Sequence, residues 1–232
     1  MRDIIIKLEN VVKKYVNKGN VFYAIKGVSF DIEKGCFFSL IGKSGSGKST
    51  LLHLMAALDS PTEGKIIVNG NDLEEFSEKE RCEFRNKKIG FVFQSYYLEE
   101  SYSVYKNVEM PLIIMGMKKK DRKRLVMETI EKVGLADKVN RKANKLSGGE
   151  KQRVAIARAI VNKPEIIFAD EPCGNLDTEN GNIIMDFFRD FTNTGVTVVL
   201  VTHNIEDAKK TDRIIRINDG EVVEDTYVNT NN

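Results

Sequence analysis

The run Cys36-Phe37-Phe38-Ser39-Leu40-Ile41 leads straight into Gly42-Lys43-Ser44-Gly45-Ser46-Gly47-Lys48-Ser49. The first part is almost wholly apolar and ends at a glycine, as a buried strand does when it feeds a loop. The second part matches G-x-x-x-x-G-K-[ST], the pattern of a loop whose backbone N–H groups cradle phosphates. Ser49–Leu58 then reads as a helix whose N-terminus faces those phosphates. With Gly near 7% of average usage, such a match arises by chance in roughly one chain of this length in a hundred. The string is therefore suggestive by itself and needs its surroundings to carry weight.

Those surroundings are an alternation of short β-rich and helical runs, which predicts a mostly parallel sheet. Ile4–Leu8, Val28–Ile32 and Lys65–Val68 read as strands of a small antiparallel sheet. Ile89–Phe93, Glu165–Ala169 and Val196–Thr202 read as further buried strands. Ile214–Ile217 and Glu221–Val223 flank Asn218-Asp219-Gly220, a tight hairpin turn. Between Gln94 and Lys163 the pattern turns helical, with apolar residues at helical spacing over Arg122–Val133 and Glu150–Val161. The expected fold class is α/β: a P-loop NTPase core with a mostly parallel sheet, a small antiparallel β subdomain and an inserted α-helical subdomain. The expected boundaries are 1–94 and 163–232 for the core and 95–162 for the helical insertion. The tail Tyr227–Asn232 is polar and is expected to fray.

Composition excludes several classes. The chain has 232 residues, 41% hydrophobic and 30% charged, which is the balance of a folded domain rather than a disordered one. Lys and Arg number 36 against 34 Asp and Glu, so no strongly basic footprint for nucleic acid is present. No apolar run reaches the ~18 residues that span a bilayer. The N-terminus alternates towards a strand and lacks the apolar core of a signal peptide. Cys36, Cys82 and Cys173 are scattered and odd in number, which fits thiols in a reducing cytoplasm rather than a disulfide framework or a metal cluster.

A second string, Leu146-Ser147-Gly148-Gly149-Glu150, is rarer by the same arithmetic, on the order of one chain in a few thousand. Ser147 can cap the following helix, and Glu150 three residues on completes a capping box. A structural role and a functional one are compatible there. Between this string and the end of the chain, Glu165-Ile166-Ile167-Phe168-Ala169-Asp170-Glu171 is an apolar strand ending in two carboxylates. Two acids at a strand end are ordinarily solvated; downstream of a P-loop they suit a cation and a general base.

Taken together these strings resemble the ATP-binding subunit of an ABC transporter, over about residues 4 to 225. The resemblance implies ATP and Mg2+ as cofactors and assigns roles. Gly42, Ser44, Gly45, Ser46, Gly47 and Thr50 would wrap the phosphates. Lys48 would reach the β- and γ-phosphates, and Ser49 would ligate Mg2+. Lys43 stands where the family usually has Pro, on the outside of the loop. Asp170 would hold Mg2+, and Glu171 would polarise the attacking water. Gln94, after an apolar strand, would touch Mg2+ and water and begin the hinge to the helical subdomain. His203 would be the switch histidine on the γ-phosphate, although a single His is more often an ordinary residue. Gly174-Asn175-Leu176-Asp177 resembles the D-loop, with Asp177 at a dimer seam. Tyr15 would stack on adenine, with Tyr23 as its competitor.

In the same terms Ser147, Gly148 and Gly149 would bind ATP held by a second copy of the chain, so an ATP-dependent, two-fold homodimer is expected. The Glu ending the signature, the Gly-Asn-Leu-Asp string and the extra hairpin between Tyr15 and Ala24 look like the branch serving lipoprotein release, macrolide export and peptide-antibiotic resistance. An integral-membrane permease subunit is the expected partner, and the cytoplasmic face of the membrane the expected location. Cys173 departs from the family's usual Thr. Tyr96-Tyr97-Leu98 and Tyr102 either line a groove for a permease helix or pack in the helical core. The basic run Lys118–Arg124 faces lipid headgroups or is a solvated helix start. A soluble ABC-type ATPase of translation or DNA maintenance is the alternative, disfavoured because such chains usually carry two cassettes or long coiled coils. A small-molecule kinase is disfavoured by the signature and D-loop.

Overall fold

The computed structural model describes residues 3–17 and 19–228. The chain divides into two compact units, residues 1–82 with 188–232, and residues 83–187. In chain order the elements are β1 (Ile4–Asn17), β2 (Asn20–Glu33), β3 (Phe37–Ile41), α1 (Lys48–Met55), β4 (Glu63–Val68), β5 (Asn71–Asp72), α2 (Glu78–Lys88), β6 (Ile89–Phe93), α3 (Val104–Ile114), α4 (Lys119–Lys132), α5 (Gly148–Ile160), β7 (Ile166–Asp170), α6 (Thr178–Asn193), β8 (Thr197–Thr202), α7 (Ile205–Ala208), β9 (Arg213–Asn218) and β10 (Glu221–Tyr227).

In the first unit an antiparallel sheet runs β2-β1-β4-β5. A second group of strands in that unit runs β10-β9-β3-β8, with β3 parallel to both β8 and β9. All five residues of β3 and all six of β8 are buried, which is why these segments read as continuous apolar runs rather than as alternations. Asp212 anchors the start of β3. Its carboxylate accepts the Phe37 N–H at 2.8 Å and an Arg189 N–H at 2.6 Å, while its own N–H donates to the Phe37 carbonyl at 2.7 Å. The strand that ends at the glycine-rich loop is thus held in register at its far end.

In the second unit β6 and β7 pair in parallel, Phe93 opposite Asp170. Gly90 is required there, because a Cβ would meet the Ala159 carbonyl at 2.4 Å. The helices α3, α4 and α5 belong to this unit. Helix α5 begins as the sequence suggests: Ser147 Oγ accepts the Glu150 N–H at 3.3 Å and Glu150 accepts the Ser147 N–H at 2.9 Å. Lys138 adds a bond to the same carboxylate at 2.5 Å.

The fold class is the expected one. Several boundaries differ. The first two strands are much longer than Ile4–Leu8 and Val28–Ile32, because one ladder, with register shifts, continues to Asn17 opposite Asn20 and leaves Val16, Val21 and Phe22 exposed. Helix α1 stops at Met55, short of Leu58, where Ala57 takes a positive φ of 55°. Helices α2 and α6 were not anticipated, and α2 is too polar to show a stripe. The basic run supplies the first turn of α4. Tyr227 closes β10, and the remainder of the expected frayed tail, from 229 onward, lies outside the described residues. Among the described residues no helix is long and apolar enough to cross a membrane.

Two measurements test these contacts. Asp212→Ala should cost about 1–3 kcal/mol in urea unfolding, because it strands a buried Phe37 N–H; a loss below 0.3 kcal/mol (roughly the limit for a neutral surface change) would show that β3 needs no such anchor. Glu150→Ala should cost about 1 kcal/mol at neutral pH. Lys138 above all, then the Ser147 N–H, hold the Glu150 carboxyl below the usual carboxylate range against the effect of burial. A depressed carboxyl stabilises the fold above its unfolded pKa of about 4.3 and ceases to as acid titrates the folded form, so the gap between the two proteins narrows below that pH. A gap independent of pH would contradict the assignment.

Candidate functional site

The first unit holds the phosphate-binding string. Buried β3 delivers the chain to Gly42, and α1 begins at Lys48 with Gly47 as its N-cap at φ 105°. A side chain at Gly47 would bring Cβ to 2.5 Å from the Ala24 carbonyl and 2.8 Å from Ile25 Cδ1, so β2 itself presses against the loop. The Ser46 carbonyl accepts the Gly220 N–H at 3.0 Å, which ties the loop to the β9–β10 turn. Ser44, Gly45 and Ser49 are exposed, and a Cβ at Gly45 would have no atom within 4 Å. The loop is braced behind and open in front.

Lys48 is only 7% exposed, and its ammonium donates to the Gly42 and Lys43 carbonyls at 2.9 Å each. Helix α1 has no side-chain cap at Gly47, and the positive end of its dipole lies beside that cation. Ser46 Oγ is buried and has no hydrogen-bond partner among the described residues. A buried cation, a helix N-terminus and an orphaned hydroxyl fit an anion of dense charge such as a triphosphate. Lys43 is exposed.

Tyr15 lies on β1, 44% exposed, with its hydroxyl on Asp59 at 3.1 Å and the Lys13 ammonium 5.1 Å from its ring centre. Lys13 also bonds Asp59 at 2.6 Å. Burial, then the Asp59 carboxylate, raise the Tyr15 hydroxyl above its ordinary pKa, so the ring is neutral. Tyr23 sits opposite Lys14 on β2. His203 follows β8 and lines a hollow of about 510 Å³ together with Gly42, Lys43 and Arg216. Lys48, Ser49, Thr50, Tyr15 and His203 therefore all belong to the first unit.

The second unit holds the rest. Asp170 ends β7, and Glu171 follows with φ 48°, a left-handed conformation rare outside glycine. Such an outlier turns the chain sharply just behind the two carboxylates. Gln94, next to the end of β6, is fixed by a reciprocal pair: its side-chain N–H donates to Asn175 Oδ1 at 3.3 Å, and the Asn175 amide donates to the Gln94 carbonyl at 3.1 Å. Gly174 makes that closeness possible, since a Cβ would lie 2.7 Å from Gln94 Nε2. Asp177 caps α6 by accepting the Asn180 N–H at 2.8 Å, and it also accepts from the Asn180 side chain. That same side chain abuts the signature: a Cβ at Gly149 would be 2.3 Å from Asn180 Oδ1. Ser147 is the N-cap of α5, and Gly148 lies beside the Tyr96 hydroxyl. In this unit Asn175 holds Gln94, and Asn180 links Asp177 to the signature at Gly149.

Asn175 and Asn180 were not singled out in the sequence. Asn175 stands inside the Gly-Asn-Leu-Asp string, which was the available signal; Asn180 had only its place three residues after Asp177, the spacing of a helix cap. Gln152, fully buried on α5, donates to the Pro172 carbonyl at 2.7 Å and was likewise invisible. Cys173 places its sulfur 3.6 Å from the Gly181 carbonyl. No group of three or more His, Cys, Asp or Glu suited to a metal occurs among the described residues.

Known proteins resemble this chain over most of its length. The ABC transporter family model matches residues 25–174. An ABC transporter ATP-binding protein of Thermotoga maritima is 48% identical over 86% of this chain and 85% of its own length. The lipoprotein-releasing system ATP-binding protein LolD of Aquifex aeolicus is 46% identical over 94% of this chain and 96% of its own. A solved ATP-binding cassette, a dimer in a post-hydrolysis state with ADP and Pi, superposes with a TM-score of 0.89 at 40% identity, covering 97% of this chain and 99% of that one. The chain belongs to the ABC transporter family.

Proposed function

We propose that this chain is the ATP-hydrolysing subunit of an ABC transporter, closing as a homodimer on ATP to drive a conformational change in an integral-membrane permease. The observation that carries this reading is the braced loop with Lys48 buried across it, its ammonium donating to two backbone carbonyls of the loop. Such a cation is costly to bury and gains most from a polyanion.

In this reading the backbone N–H groups of Ser44 to Thr50 hold the phosphates, and Tyr15 offers its ring to the adenine. Lys48 exchanges its two carbonyl partners for β- and γ-phosphate oxygens. Glu171 takes a proton from the attacking water as its oxygen bonds the γ-phosphorus and the bond to the β-phosphate oxygen breaks. His203 holds a γ-phosphate oxygen, and Gln94 orients the water. Ser49, Asp170 and Gln94 offer the hard oxygen donors Mg2+ prefers, and the ion would neutralise phosphate charge there. Ser147, Gly148 and Gly149 serve the ATP of the opposite copy, with Asp177 near the seam. ATP thereby favours the closed pair, and hydrolysis removes that preference.

The helical subdomain, residues 95–162, is the part proposed to meet the permease, placing the chain on the cytoplasmic face of the membrane. LolD is named for lipoprotein release. A MacB macrolide export protein of Campylobacter fetus, in which the matching part is 35% of the length, is 42% identical over 97% of this chain. Export or lipoprotein release is the proposed class of work.

Two variants test the chemistry. Glu171→Gln should bind ATP normally and lose at least about 100-fold in turnover, the usual contribution of a general base. Lys48→Ala should lose both binding and turnover. Phosphate-release kinetics and nucleotide titration read these out. Turnover of Glu171→Gln within threefold of the unmodified protein (roughly 0.6 kcal/mol in barrier) would remove Glu171 from the mechanism.

A further inference from the structure

Just behind Gln94, Tyr96 and Tyr97 both take left-handed backbone conformations, with φ 60° and 48°. Two consecutive aromatic residues in that region are costly, at about 1–3 kcal/mol each, unless their surroundings hold them. The turn has short local bonds, Tyr96 N–H to the Phe93 carbonyl at 3.2 Å and Tyr97 N–H to the Ser95 carbonyl at 2.6 Å. Its outer carbonyls are gripped by one side chain: Arg158 donates to the Tyr96 carbonyl at 2.7 Å through Nη2 and to the Tyr97 carbonyl through Nη1. A planar guanidinium can satisfy two adjacent acceptors at once; an ammonium cannot do so with the same geometry.

Arg158 stands in the last turn of α5, the helix capped by Ser147. At the other end of that helix the Tyr96 hydroxyl lies where a Cβ on Gly148 would be 3.2 Å away. The turn therefore touches α5 at both ends, by a ring at the signature and by two carbonyls at Arg158. On its free side the Tyr97 ring is 67% exposed, resting edge-on against Phe93 at 5.1 Å.

We propose that Arg158 is a positioning residue for ATP hydrolysis: it holds the strained Tyr96–Tyr97 turn, and thereby makes Gln94 and the signature helix move as one piece. The proposal rests on the reading of Gln94 and Ser147 as nucleotide-site residues. It adds that a guanidinium, and not merely a cation, is needed one helix length from the signature. Arg158 touches no reacting atom; it acts by where it keeps Gln94.

The test compares the unmodified protein, Arg158→Lys, and Arg158→Lys with Tyr97→Gly, by steady-state ATP hydrolysis, titration with a fluorescent ATP analogue, and thermal unfolding. Turnover by the unmodified protein that Glu171→Gln abolishes checks the underlying reading separately. Arg158→Lys should keep Kd for the analogue and KM within about twofold while kcat falls about tenfold, the scale of a small misplacement of a catalytic group. Glycine adopts positive φ without strain, so Tyr97→Gly in the lysine background should recover at least half of the lost kcat. Where Arg158→Lys alone fails to fold, the double variant should fold and turn over. A kcat for Arg158→Lys within twofold of the unmodified protein overturns the proposal, as does a double variant no better than the single one.

Discussion

A buried ammonium sets the terms for this molecule. Lys48 is placed at the end of a fully buried strand and the start of a helix, in a loop that its neighbours press from behind. Two carbonyl dipoles offset only part of a buried positive charge, and the uncapped helix start adds more positive potential in the same place. The first unit depends on that tension. Asp212 fixes β3, β2 and the Gly220 turn close the back of the loop, and what remains open is a front that suits dense negative charge. The loop's glycines serve this geometry, above all Gly47, where any side chain would collide with β2.

The second unit solves a different problem, which is how to keep several short motifs in register with one another. Gln94 is locked to Asn175, Asn180 spans Asp177 and Gly149, and Arg158 grips the turn that follows Gln94. Apart from the close approach of Asn180 to Gly149, each link is a hydrogen-bonded side-chain amide or guanidinium rather than a hydrophobic contact, so it has direction as well as strength. Directional links of this kind transmit a displacement from one motif to another. A post-hydrolysis cassette with which this chain superposes is dimeric.

Much of this was legible in the amino-acid order, for physical reasons. Buried parallel strands leave unbroken apolar runs, so β3, β6, β7 and β8 were visible to within a residue or two. The capping box at Ser147 and Glu150 announced α5 because the two side chains satisfy one another's backbone N–H groups. Most of the rest lacked such a signal. Helix α2 is nearly all charged, and Pro111 interrupts the reading of α3. Helix α6 does carry Ile184, Met185 and Phe188 on a buried face, a helical spacing present in the sequence. The left-handed Tyr96 and Tyr97 run against aromatic preference, and the bonds from Arg158 that grip their carbonyls are tertiary. The site residues were named by motif; of the residues that hold them in place, Asn175 lies inside one, whereas Asn180 and Arg158 carry none.

The central claim is that ATP is held between two copies of this chain, each lending its signature to the other's triphosphate. Sedimentation velocity of the Glu171→Gln protein with Mg2+ and excess ATP tests it most directly. The account predicts a species of two chains with ATP and of one chain with ADP, and reversion to one chain when Ser147 is replaced by Arg. A single-chain species in saturating ATP would contradict it.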